Sequence, residues 1–204
     1  VMNNGTYLKN AVALTQVVAD FNDDNKTVLA AVNGDWMTFA NSLGASVTSN
    51  YRVTFSSMIS DREIWCSQMT STEQSTDYFT MGVTTDKQVV IGKPTITHTK
   101  KNVTKGTSFS AMGINRAPKN NTLFVFNNRL NASNYVNSDA YEVVITASSS
   151  RFILGESVTG TVTAIYPKGT TSRADMTDNT ILITARGSKV STISGKFSVG
   201  DTVS

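Results

Sequence analysis

Thr27-Val28-Leu29-Ala30-Ala31-Val32-Asn33-Gly34-Asp35-Trp36-Met37 begins as an unbroken apolar run and closes on a polar turn with an aromatic behind it. A run this short, bounded by turn residues, predicts a strand buried on both faces. On its N-terminal side Leu8, Ala11, Val12, Leu14, Val18 and Phe21 recur at helical spacing from Tyr7 to about Asn22. Thr6 is available as the N-cap and Asn22-Asp23-Asp24-Asn25 as the break, so this segment predicts an amphipathic helix. A helix feeding a buried strand is incompatible with a plain β-sandwich at this end of the chain.

On the C-terminal side the signals are mostly β. Arg52 to Ile59 and Glu63 to Cys66 flank Ser60-Asp61-Arg62, and Tyr78 to Thr84 and Gln88 to Gly92 flank Thr85-Asp86-Lys87. The second pair predicts a hairpin, and Thr95 to Thr99 alternates like a half-exposed strand. Leu123 to Phe126, Tyr141 to Thr146, Ser157 to Ile165, Thr180 to Ala185 and Val190 to Ile193 continue the strand pattern. The fold class expected from this pattern is α+β, with β-rich mixed sheets and one clear N-terminal amphipathic helix. One domain over residues 1–204 is expected, with a weak seam at Ala147-Ser148-Ser149-Ser150 and no internal repeat.

Composition narrows the function classes. Of 204 residues 39% are apolar and 16% charged, against about 25% charged in an average domain. Ser, Thr and Asn fill the difference, a texture of exported bacterial β-rich proteins, so a secreted or cell-surface location is expected. The net charge of +3 is spread along the chain, and its densest run is Lys100-Lys101 with Lys105. No stripe for nucleic acid is present. A single Cys, Cys66, and a single His, His98, exclude an internal disulfide and a Cys/His metal cluster. No apolar run approaches the ~20 residues that span a bilayer, and Val1 begins no signal peptide, so the chain is expected to start inside a longer precursor.

Two segments carry the candidate chemistry. Asn33 and Asp35 close a buried strand, where sites are often built, and Trp36 offers an apolar or sugar-stacking wall. A plain Asn-Gly-Asp turn is the alternative reading. In Phe109-Ser110-Ala111-Met112-Gly113-Ile114-Asn115-Arg116-Ala117-Pro118, Arg116 follows a strand-like stretch and precedes Pro118. Its planar guanidinium can grip a phosphate bidentately, and a surface ion pair is the alternative. Glu142, in an alternating strand, can simply face water. His98 between two threonines is expected to be solvated, and Cys66 beside Trp65 to be a thiol packed in the core.

In order along the chain, these segments resemble the phosphodiester glycosidase family, that of the mannose 6-phosphate uncovering enzyme. The resemblance rests on Ala31 to Trp36, on Met81 to Gly92 and on Ile114-Asn115-Arg116-Ala117-Pro118. It continues through Tyr141-Glu142-Val143-Val144-Ile145 and through Thr180 to Gly187 with Val199-Gly200-Asp201-Thr202-Val203. Trp36-Met37 stands where the family has two aromatics, and the family's later Gly-rich motifs do not occur before Ser204. The resemblance implies hydrolysis of a sugar 1-phosphodiester of the N-acetylglucosamine 1-phosphate type; no cofactor is expected and no metal-ligating residue is singled out. The active site would be shared with the remainder of a parent chain. It implies Arg116 as phosphate clamp, Asp35 and Glu142 as acid-base or water-orienting groups, and Asn33, Trp36 and Asn115 as substrate-binding residues. A non-catalytic module that binds cell-wall glycan, and a surface adhesion module, are the alternatives from other classes.

Overall fold

The structure, a computed structural model, describes residues 15, 18, 19, 22, 27, 37–39, 52–54, 57–68, 79–116, 119–130, 139–170 and 174–204. Three small antiparallel pairs come first: β1 (Met37–Phe39) with β2 (Arg52–Thr54), β3 (Met58–Ser60) with β4 (Glu63–Cys66), and β5 (Thr80–Val83) with β6 (Val89–Gly92). The second hairpin turns on Asp61 and Arg62, both with positive φ (50° and 66°), as a two-residue turn matched to strand twist requires. The third turns through Thr85-Asp86-Lys87, with Lys87 at φ 65°. It leaves Met81, Val89 and Ile91 exposed.

The remaining strands form one eight-stranded sheet. They are β7 (Lys100–Asn102), β8 (Thr107–Phe109), β9 (Gly113–Ile114), β10 (Leu123–Phe126), β11 (Ala140–Ala147), β12 (Gly160–Tyr166), β13 (Thr180–Arg186) and β14 (Thr202–Val203). Their spatial order is β8-β7-β14-β12-β11-β13-β10-β9. Pairing is antiparallel except between β9 and β10. β11 lies between β12 and β13, so strands on either side of residues 147–150 share one sheet.

The inner strands β10, β11 and β13 are rich in Val, Ile and Phe and buried along nearly their whole length. A strand covered on both faces carries such a run instead of a clean alternation. Phe124, Phe126, Val144 and Leu182 pack on one face with Leu130, Ala174 and Met176. Leu123, Val125, Val143, Ile145, Ile181 and Ile183 pack on the other, with Ile193 and Phe197. Each buried aliphatic or Phe side chain stabilises the fold by about 1.5–3 kcal/mol relative to exposure.

Among the described residues the fold is strand-rich, which corrects the expected α+β class with a clear N-terminal amphipathic helix. Of the stretch read as that helix, Thr15, Val18, Ala19 and Asn22 are described. Thr15 and Ala19 are exposed and Val18 is half-buried. A spaced apolar pattern marks a stripe, but a helix takes its stability from a surface that buries the stripe. The helix that is defined end to end is a 3-10 turn, Gly187–Lys189, running into one α-helical turn, Val190–Ile193.

Val190 to Ile193 was expected to be a strand on its β-branched composition. Gly187, at φ 55°, turns the chain out of β13, and Ile193 is then driven to zero exposure against the odd-numbered face. That burial outweighs a propensity difference of well under ~1 kcal/mol per residue. Residues 95 to 99 alternate in exposure as expected but pair with no strand, and regular pairing begins only at Lys100. The buried strand expected at Thr27 to Asn33 lies, apart from Thr27, outside the described residues. Among the described residues, no helix is long and apolar enough to cross a membrane.

Gly160 begins β12, paired with Ala147 of β11. A Cβ there would stand 2.7 Å from the Thr146 carbonyl oxygen and 2.7 Å from the Ile145 side chain. Backbone cannot yield as a flexible side chain does, so Gly160→Ala is expected to lower stability by about 1–3 kcal/mol. Urea titration would read this as a lower midpoint with an unchanged slope.

Candidate functional site

The register of the main sheet aligns Gly113, Phe124, Thr184, Glu142 and Tyr166 in one row across β9, β10, β13, β11 and β12. Their side chains therefore share the face on which Phe124, Val144 and Leu182 pack. Glu142 is buried at 4% exposure and accepts a hydrogen bond from the Thr184 hydroxyl at 3.2 Å. It does not face water, because the solvent side that an alternating strand implies does not exist on a strand covered on both faces.

Arg116 reaches the same face from the other end of the row. A Cβ on Gly113 would fall 2.9 Å from Arg116 Cγ, 2.8 Å from Ser67 Oγ and 3.3 Å from the Phe124 ring. The missing side chain of Gly113 is the space Arg116 occupies. Arg116 has zero exposure and donates from Nη1 to the Ser67 carbonyl at 3.0 Å. Three strand spacings, roughly 14 Å of sheet, separate the backbones of Gly113 and Glu142. The face thus presents a buried guanidinium beside Gly113, at one end of the row, and the buried carboxyl group of Glu142 three strands away. Arg186, two residues beyond Thr184 on β13, is also buried; burial disfavours its charged form while Asp139 favours it.

Asn115 sets the position of Arg116. It sits at φ 52°, in the left-handed region that Asn tolerates better than most residues. Its Nδ2 donates to the Trp65 carbonyl at 2.7 Å and to Asn127 Oδ1 at 2.8 Å. Its Oδ1 accepts from the Asn127 backbone N–H at 3.0 Å, and its own N–H bonds the Val125 carbonyl at 2.9 Å. Asn127 Nδ2 continues the chain to the Ser150 carbonyl at 2.8 Å. The side-chain amide expected to touch substrate is thus engaged inside the protein, binding β4, β9 and β10 together.

Beside it lies a cluster that the sequence did not single out. Glu63, 2% exposed, takes Arg129 at 2.8 and 3.0 Å and Arg151 at 2.9 Å, and the Arg129 guanidinium stacks 4.1 Å from the Trp65 ring. Burial alone would raise the Glu63 pKa, but hydrogen bonds from Arg129 and Arg151 and their charges bring it below the ordinary carboxylate value. No local pattern marks this group, since its members are separated by up to 88 positions. Thr184 and Arg186 carried a weak signal, two polar residues at alternate positions of an apolar strand. Asn33, Asp35 and Trp36 lie outside the described residues. Cys66 is buried in the core as expected, and His98 is half-buried instead of solvated. No group of three or more His, Cys, Asp or Glu among the described residues could hold a metal ion.

Two outcomes are expected. Asn115→Gly keeps the left-handed backbone but strands the Trp65 carbonyl and the Asn127 N–H, which should cost about 2–4 kcal/mol. Asn115→Ala should cost more, by the added strain of about 1–2 kcal/mol, and thermal denaturation ranks the pair. Because the folded Glu63 pKa is depressed, its contribution is complete above the unfolded value of 4.5 and is lost as pH falls through the folded value. Glu63→Gln should cost about 2–4 kcal/mol at pH 7, and its gap from the parent should shrink below pH 4.5 in urea midpoints measured from pH 7 to pH 3.

No protein-family model and no curated protein matches the chain. Among solved structures it is similar to the crystal structure of a hypothetical protein from Synechocystis, with a TM-score of 0.67 and 16% identity. The likeness covers 100% of this chain and 32% of that one, so the chain spans about a third of the length of its structural relative. At this identity the likeness shows a shared fold.

Proposed function

We propose that this chain carries part of the active site of an exported hydrolase acting on sugar 1-phosphodiesters. The observation that supports the reading is the placement of two buried ionisable side chains, Arg116 beside Gly113 and Glu142 three strands away, on one sheet face. A phosphate ester is a good leaving group, so its protonation matters less than holding its charge and aiming a nucleophile at the anomeric carbon. In this reading Arg116, a planar fork with five N–H donors, holds the phosphate oxygens. Glu142, oriented by the Thr184 hydroxyl, orients or deprotonates water. By the resemblance Asp35 is the second candidate carboxylate, and Asn33 and Trp36 are candidate sugar-binding residues. Asn115 acts through Arg116 and holds it in place.

The test is release of free N-acetylglucosamine from an N-acetylglucosamine 1-phosphodiester, by a longer parent protein and by this 204-residue chain. Arg116→Lys and Glu142→Gln are each expected to lower kcat/KM of the active protein at least 100-fold while its cooperative melting persists. A folded parent that turns over no sugar phosphodiester refutes the hydrolase reading. Retained binding of the diester without turnover would assign the same face to a glycan-binding module.

A further inference from the structure

The opposite face of the sheet holds a second concave feature, independent of the face that holds Arg116 and Glu142. Val125, Ile145 and Ile183 on that face, with Phe152 from the segment after β11, help to wall a cavity of about 440 Å³. That volume falls in the range of small-molecule sites, which are mostly apolar with a few convergent polar groups.

Here polar groups converge from one side. His98 and Lys100 reach the cavity from the start of β7 and its approach, and Lys100 Nζ bonds His98 Nδ1. Burial, with the Lys100 charge adding to it, lowers the His98 pKa to about 4, and burial lowers Lys100 to about 8. At pH 7 the imidazole is therefore a neutral acceptor and the amine is still a cation. Among the described residues no carboxylate forms an ion pair with Lys100. Glu156, an acid on the cavity wall, is engaged by Arg62 at 3.4 Å, and Ser204, which also lines the cavity, exchanges backbone hydrogen bonds with Lys101. A desolvated ammonium without a counter-charge is costly, and an anion entering the cavity would offset that cost.

We propose that this cavity binds an amphiphilic anion, an alkyl carboxylate whose head pairs with Lys100 and whose chain lies along Val125, Ile145 and Ile183. The apolar walls supply affinity in proportion to the chain area they cover. The single cation selects the charge of the head.

Calorimetric titration of the 204-residue protein with decanoate, decanol and decyltrimethylammonium tests this. Decanoate should bind at least tenfold more tightly than decanol, and the cationic surfactant more weakly than either. Lys100→Met should bring decanoate down to the decanol level, and Lys100→Arg, which keeps the charge, should retain most of the preference. Ile145→Phe, which fills the cavity, should weaken decanoate and decanol together. Equal affinity for decanoate and decanol, decanoate binding unchanged in a folded Lys100→Met protein, or no binding of either amphiphile would overturn the proposal.

Discussion

The side-chain amide of Asn115 ties together segments separated by dozens of residues. Through it the Trp65 carbonyl, the Asn127 amide and the left-handed turn after β9 satisfy one another's hydrogen bonds in a buried setting. Buried amide groups without partners are expensive, so the three segments are stable together and unstable apart. This tie docks the β3–β4 hairpin on the outer strand of the main sheet, where Ser67 and Ile114 add a further backbone bond at 3.0 Å. It also sets the direction in which the next residue, Arg116, leaves the backbone.

Glu63 reinforces the same junction by another route. A carboxylate buried between two guanidinium groups, one of them stacked on Trp65, joins β4 to the segments around residues 129 and 151. Such a pair contributes little beyond an apolar substitute, but removing one partner leaves a charge with no solvent to receive it. The junction therefore favours one docking geometry over others. The polar row on one face and the apolar cavity on the other inherit their positions from it, because β10 carries Phe124 in the row and Val125 in the cavity wall.

How much of this was legible beforehand varied with the range of the interaction. The hairpin turn at Thr85-Lys87 was readable, since turn chemistry is local. The inner strands at Leu123 to Phe126, Tyr141 to Thr146 and Thr180 to Ala185 were readable from their apolar runs, with ends shifted by a residue or so. Val190 to Ile193 was not, because its helical turn answers to burial of Ile193 against strands far away in sequence. The N-terminal amphipathic helix was over-read for the converse reason: periodicity described a stripe without showing any surface to bury it. Glu142 and His98 were misjudged alike, since exposure belongs to neighbouring elements and not to the strand that carries the residue.

Arg116 and Glu142 were identifiable as candidates from residue type and order, yet nothing in the chain's linear pattern put them on one sheet face. That follows from register across β9, β10, β13 and β11, and a register is set by many packed side chains at once. The sequence by itself determined the local chemistry: which segments extend, where they turn, and which side chains are able to carry charge or donate hydrogen bonds. Only the tertiary structure decided which of those groups are buried, which face they share and how they are paired, because desolvation and pairing depend on atoms brought together by folding.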